Sequence, residues 1–295
     1  MRKITIFMIP IFFYILLNVL FSVQINNIFY SVRYKHEIYN LQTSDVFEYV
    51  VVGNSHARDS FLMSDNNLLN LGLSGQNLYW SNQMLLKFDN NIDPNAKILI
   101  EVSYFSLCVS EQEGAIRYVP LGFNRSELDL SLEEYLIERY LPLVGFNRLE
   151  SLLANNDSHF ANTLYDFSSE NQLLNNSIEF LDNAVYKQLC DTETLNSNID
   201  ILEEIILREK AGDREVILYS SPLFVNEFQI DKTHENVERF FFVISDLSEK
   251  MDIRFVDHTY FQGVSDNYLF FRNANHLNNL GSEEYWMRFK NEVFS

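Results

Sequence analysis

The sequence predicts an α/β domain with a mostly parallel sheet. Short β-branched runs recur along the chain, helical patterns alternate with them, and the run Glu48-Tyr-Val-Val-Val-Gly53 is almost unbroken in its apolar character. A continuous apolar run suits a strand covered on both faces. Strands that alternate with helices argue for parallel pairing through helical crossovers.

Taken in order, Arg2 and Lys3 precede an uncharged run over residues 4–23. That run has about the length that spans a bilayer core. Basic residues before it keep the N-terminus cytoplasmic and export the rest. A cleaved signal peptide is the rival reading, but no A-x-A-like site follows Phe21-Ser22-Val23-Gln24. The expectation is an uncleaved anchor over 1–23, a stalk over 24–46 and one α/β domain over 47–295.

Within that domain, residues 48–53 form the first strand and residues 68–73 the second. A helix is expected over 77–88, on Leu78, Leu85 and Phe88, and a third strand over 97–102. Residues 111–195 break the rhythm, with helical pieces at 132–140 and 149–154, and read as a helical insertion. A helix over 200–210 carries Ile201, Leu202, Ile205, Ile206 and Leu207. Strands follow at 215–219 and 252–256, and a last helix at 282–293.

Composition narrows the function. The 295 residues are 47% hydrophobic and 15% aromatic, enough for a sizeable core and against long disorder. With 22 Lys and Arg against 41 Asp and Glu, the net charge is −19. This disfavours nucleic acid and anionic membrane surfaces, which need clustered cations. Cys108 and Cys190 are the two cysteines. They make one disulfide in an oxidising compartment or remain two thiols, and no metal-ligand spacing accompanies them.

Three short segments carry chemistry. Gly53-Asn54-Ser55-His56 follows the first strand, and ligands of open α/β sheets bind beyond the carboxyl ends of strands. A serine hydroxyl there needs a base within hydrogen-bond reach. Asn70-Leu-Gly72-Leu-Ser74-Gly75-Gln76-Asn77 follows the second strand, where a glycine can aim an amide N–H at a developing oxyanion. Asn273-Ala-Asn275-His276-Leu277-Asn278 stands just before the last helix, a good place for a base. Each alone is more often a turn or a structural histidine; their order at successive strand ends is the signal.

Together these segments resemble the SGNH, or GDSL-type, hydrolase superfamily, over roughly residues 47–105 and 214–293. They look most like its membrane-anchored bacterial cell-envelope branch. The resemblance implies a three-layer flavodoxin-like domain acting as an esterase or O-acyltransferase on acyl groups, foremost acetyl, of a cell-envelope polysaccharide. It implies Ser55 as nucleophile, His276 as base, and the N–H groups of Ser55 and Gly75 as oxyanion hole. Asn54, His56 and Asn77 become candidate substrate contacts. No metal or organic cofactor is implied. The partners implied are an acylated glycan or acyl donor and a membrane acyl exporter, with the domain on the periplasmic side of the inner membrane.

Two departures matter. The family's oxyanion asparagine after the third strand is absent from Glu101-Val-Ser103-Tyr104-Phe105-Ser106, so the hole either has two donors or borrows another such as Asn54 or Asn77. The family's Asp three residues before the histidine is Asn273 here. An Asp-to-Asn change in a serine-protease triad lowers the rate by about 10⁴. Either Ser55 and His276 work as a dyad, or another carboxylate such as Asp257 or Asp266 serves, or the fold has become a glycan-binding subunit.

Overall fold

Strand β1 (Phe47–Val52) is the centre from which the architecture is built: Val50, Val51 and Val52 are fully buried. In the computed structural model, the described residues are 12–16, 45–61, 67–73, 75–108, 123–140, 192–224, 235–273 and 275–294, with Tyr118 and Leu121. Two compact units divide the chain: one is Met1–Leu41 with Gly114–Asp166, the other Gln42–Glu113 with Phe167–Ser295.

The larger unit holds a five-stranded parallel sheet in the order β2-β1-β3-β4-β5. Its strands are β1, β2 (Leu68–Asn70), β3 (Ile92–Glu101), β4 (Glu215–Ser220) and β5 (Arg254–Asp257). This is the strand order of flavodoxin-like sheets, in which the chain reverses direction across the sheet between β1 and β3. That switch point lies at the ends of the strands that lead to Ser55 and Ser103.

Side chains alternate across each strand. Val51, Leu99 and Ile217 join one core cluster with Phe61, Tyr285, Trp286 and Phe289. Two helices supply that face: α1 (Ser55–Ser60) and the last helix, numbered α8 below (Asn279–Val293). Helix α2 (Leu78–Lys87) contacts β1, and a helix over Thr192–Ala211 contacts β4 and α2. Phe61 meets Tyr219, Trp286 and Phe289 nearly edge-on at centroid distances of 5.2–5.5 Å.

Helix α3 (Tyr104–Cys108) follows β3 and ends on a disulfide-bonded Cys108. Cys190 lies outside the described residues. In the smaller unit, α4 (Arg125–Leu128) carries a capping box between Asn124 and Glu127, and α5 (Leu132–Tyr140) follows.

The expected elements shift at their ends for local reasons. Strand β3 begins at Ile92 rather than 97, because Ile92 already pairs with Phe47 of β1, and the register shifts before Lys97 pairs with Tyr49. The helix expected from 200 begins at Thr192 and is α6 (Thr192–Ala211), so it starts inside the stretch read as an insertion. Leu195 and Asn198 are buried there, and Asn198 Nδ2 donates to Leu107 O (2.9 Å). The last helix starts at Asn279, since the Asn278 side chain accepts from Gly281 N–H (3.0 Å). Helices α1, α3 and α4 have no counterpart in the expectation, nor has the longer α7 (Glu235–Met251), with Phe240, Ile244 and Leu247 buried.

The expected anchor, apart from residues 12–16, and the expected stalk, apart from Asp45 and Val46, lie outside the described residues, as do residues 141–191 of the insertion. Residues 12–16 are helical. Among the described residues no helix is long and apolar enough to cross a membrane.

Candidate functional site

The nucleophile segment is held by its neighbours. Gly53 has φ +144°, and a Cβ there would stand 2.6 Å from Glu101 Cβ and 2.9 Å from Ala57 Cβ. Only glycine fits so tight an approach at that backbone angle. Asn54 then caps α1: its Oδ1 accepts from His56 N–H at 2.7 Å and its carbonyl from Arg58 N–H at 3.1 Å. Ser55 is therefore the first helical residue, and its N–H has no acceptor within the helix.

The second segment is strapped to the first. Leu73 N–H donates to Gly53 O (3.2 Å), and Asn70 Nδ2 donates to the carbonyls of Ala57 and Phe61 (2.9 and 3.2 Å). Gly75 follows with φ +64°, exposed at the turn into α2.

The third segment is a small antiparallel pair, β6 (Phe271–Asn273) and β7 (His276–Leu277), with Asn273 opposite His276. Asn278 fixes it to α8, since its Nδ2 also donates to Leu269 O (2.7 Å). Helix α1 packs on β7 and α8. That packing brings Ser55 and His276 together across 221 residues of sequence: His276 Nε2 lies 2.8 Å from Ser55 Oγ.

The proton positions follow from the partners. Asn273 Oδ1 accepts from the backbone N–H of Asn275 (3.2 Å), so the atom at that place is an acceptor. The same oxygen lies 3.0 Å from His276 Nδ1, which must therefore carry the hydrogen. Nε2 is then bare and accepts from the serine hydroxyl. Asn273 thus fixes the tautomer as an aspartate would, but adds no negative charge. Burial pushes the His276 pKa well below its ordinary 6.5. Charge on His56 lowers it further, as do Arg272 and Arg58, against the opposing carboxylate of Asp59.

A buried ionic group adjoins the dyad. Arg58 holds Asp59 through Nε–Oδ1 and Nη2–Oδ2 contacts of 2.6 and 3.0 Å, and Arg272 binds Asp59 Oδ2 from β6. Burial alone would raise the Asp59 pKa, but Arg58 and Arg272 outweigh it and hold it at about 2.

The other expected contacts are placed differently. Asn77 is 1% exposed and caps α2, its Oδ1 accepting from Trp80 N–H at 2.9 Å. Asn54 is buried too, and its Nδ2 donates to Ser103 Oγ at 3.3 Å, two residues past β3. His56 is 5% exposed and turns towards Glu101, with Nδ1 3.7 Å from Oε1. Its ring meets that of His276 edge-on, centroids 5.0 Å apart. Neither substitute carboxylate reaches His276. Asp257 accepts from Ser220 Oγ and Thr259 N–H, and Asp266 from Tyr260 OH and Gly263 N–H.

Sequence reading missed Glu101, Asp59, Arg58 and Arg272. Glu101 was legible as an acidic residue ending an apolar strand beside the switch point. The ionic trio had no local signal, because Arg272 comes from a distant strand.

No protein-family model matches the chain, and no curated protein matches it. Among solved structures, it is similar to a provisionally assigned acylhydrolase of Bacteroides fragilis NCTC 9343. That likeness has a TM-score of 0.40 at 13% identity and covers 89% of this chain and 96% of that one. The functional reading therefore rests on the site itself.

Proposed function

We propose that this chain is an SGNH-like serine esterase or O-acyltransferase that acts on acyl groups, foremost acetyl, of a cell-envelope polysaccharide. The observation that carries the reading is the 2.8 Å contact between Ser55 Oγ and His276 Nε2, with Nδ1 fixed by Asn273. Ser55 Oγ attacks the acyl carbon while its proton passes to His276 Nε2. The N–H groups of Ser55 and Gly75 are the assigned donors to the resulting oxyanion. The imidazolium then gives its proton to the departing sugar oxygen, leaving an acyl-serine. Water resolves that intermediate in a hydrolase, and a sugar hydroxyl resolves it in a transferase. In transferase mode the acyl donor comes from a membrane acyl exporter.

Residues 1–23 anchor the chain in this reading and place the α/β domain on the periplasmic side of the bacterial inner membrane. The Arg2-Lys3 flank supports that orientation, and the disulfide at Cys108 fits an oxidising compartment. A second reading is favoured by Asn273: a glycan-binding or assembly subunit on a retired hydrolase fold.

The test is hydrolysis of p-nitrophenyl acetate and labelling by a fluorophosphonate, using the full chain and Ser55→Ala. Wild-type turnover and labelling, both lost in the variant, are expected. Identical behaviour of the two proteins removes the enzyme reading. Glycan binding that survives His276→Ala without turnover supports the second.

A further inference from the structure

The dyad is carried by two pieces of structure too short to hold their own shape. Helix α1 has six residues, and the β6–β7 pair sets three residues against two. An isolated helix below about 12 residues is marginal in water, and so is a two-stranded pair. Ser55 opens the helix, and Asn273 and His276 face each other across the pair. The 2.8 Å contact between Ser55 and His276 therefore depends on what fastens one piece to the other.

A buried ion pair joins them. Asp59 stands one helical turn after Ser55, on the same face of α1. Arg272 stands directly before Asn273 on β6. Arg272 Nη2 binds Asp59 Oδ2, with the two side chains 11% and 3% exposed. The carboxylate is itself fixed, since Arg58 grips both of its oxygens, Nε on Oδ1 and Nη2 on Oδ2. A fork of this kind sets direction as well as attraction. The helix that holds the nucleophile and the strand that holds the orienter of the base thus meet on one carboxylate.

We propose that Asp59 and Arg272 are positioning residues that set the approach of His276 Nε2 to Ser55 Oγ by clamping β6 onto α1. This rests on the esterase or transferase reading above. The two ions act through Asn273, His276 and Ser55, whose places they hold. Breaking the pair lets the hairpin drift from the helix, and a misplacement of about 1 Å costs about 10²-fold in rate.

Charge alone predicts a different pattern. The Arg272 charge lowers the His276 pKa and the Asp59 charge raises it. If the ions acted on the dyad only through their fields, removing Arg272 would help the base and removing Asp59 would harm it. A clamp is broken from either side, so both removals harm.

The experiment compares the full chain with Arg272→Met, Asp59→Asn and Arg272→Lys. It reads kcat and KM with p-nitrophenyl acetate, and both the rate constant and the end-point stoichiometry of fluorophosphonate labelling. Stoichiometry counts folded sites, and the rate constant reports their geometry. Arg272→Met and Asp59→Asn are each expected to lower kcat and the labelling rate constant about 10- to 100-fold, at full stoichiometry and with KM within about twofold. Arg272→Lys keeps the charge but neither the fork nor the reach, and is expected to fall between, about 3- to 10-fold slower. Rates within about twofold of the wild type in both charge-removing variants, or a faster Arg272→Met beside a slower Asp59→Asn, overturn the proposal. Reduced stoichiometry with an unchanged rate constant also overturns it, since the pair then serves stability alone.

Should the charge-removing variants not fold, Arg272→Lys decides it. A slower rate constant at full stoichiometry supports the clamp, and an unchanged one overturns it. Failure of the parent reading looks different: Ser55→Ala matches the wild type in turnover and labelling. The NMR signal of the His276 Nδ1 proton then still reads the clamp. It is expected in the wild type and lost to solvent exchange in Arg272→Met, and its persistence there overturns the proposal.

Discussion

Two serines stand at the carboxyl end of the sheet, Ser55 after β1 and Ser220 at the end of β4, and each has a histidine nearby. The hydroxyl of Ser220 is buried and saturated. It donates to Asp257 Oδ1 (2.7 Å) and accepts from the N–H groups of His258 and Thr259 and from the Thr259 hydroxyl (2.9, 3.1 and 3.0 Å). The ring of His258 turns away to Tyr285 OH and Glu292 (3.1 and 3.2 Å). Ser55 is half-exposed and faces the bare nitrogen of an imidazole whose other nitrogen is held. The same residue types make a loop fastener in one place and a hydroxyl–imidazole pair in the other. What separates them is the base's free lone pair and access for a ligand.

The sharpest break of this contrast is the exchange of each hydroxyl for hydrogen. Ser55→Ala should lower kcat by at least about 10³-fold, while Ser220→Ala should leave kcat/KM within about twofold, both read with p-nitrophenyl acetate. Turnover lost in Ser220→Ala and kept in Ser55→Ala would reverse the assignment.

Next in size is Asn273→Asp. A carboxylate on Nδ1 stabilises the imidazolium, so kcat should rise, on the order of 10- to 100-fold. The sign for pH follows from the same charge. His276 is held well below 6.5 mainly by burial, so the wild-type acid limb lies below that value. A new anion raises the base's pKa and moves the limb upward, as a pH–rate profile of the two proteins would show.

For stability the order of the serines inverts. Ser220→Ala removes the acceptor of the His258 N–H and of the Thr259 hydroxyl, while Thr259 N–H keeps Asp257 Oδ1, and should cost about 2–3 kcal/mol in urea unfolding, against little for Ser55→Ala.

The smallest effect belongs to Asp59. Its folded pKa of about 2 lies below the ordinary 3.8. The unfolded chain therefore takes up the proton first as pH falls. The contribution, about 2 kcal/mol, is present above pH 3.8 and is lost towards pH 2. Unfolding midpoints across that window should show the loss, and Asp59→Asn should remove that slope.

The fold was legible because buried parallel strands leave unbroken apolar runs, and Val50–Val52 and Ile98–Ile100 are such runs. The dyad was legible because both partners sit beside strand ends in short, distinctive segments. Helix α7 was not, since Phe240, Phe241, Phe242 and Val243 are consecutive apolar residues and blur the helical period that Phe240, Ile244 and Leu247 carry. Helix α1 has only six residues, too short for any periodic signal. Asn77 before an apolar helix is the ordinary mark of a cap, and it caps α2. Arg272 joins Asp59 across 213 residues, a pairing that only the folded chain specifies.

Gly53 sets a limit on how this protein can diversify. Its missing side chain is the gap into which both Ala57 and Glu101 press, so the floor beneath the reactive hydroxyl cannot be redrawn one mutation at a time. New acceptors or donors have to be won at the rim, around the exposed turn at Gly75. A deep mutational scan should show this as a column at position 53 that tolerates no replacement, beside a permissive one at position 75.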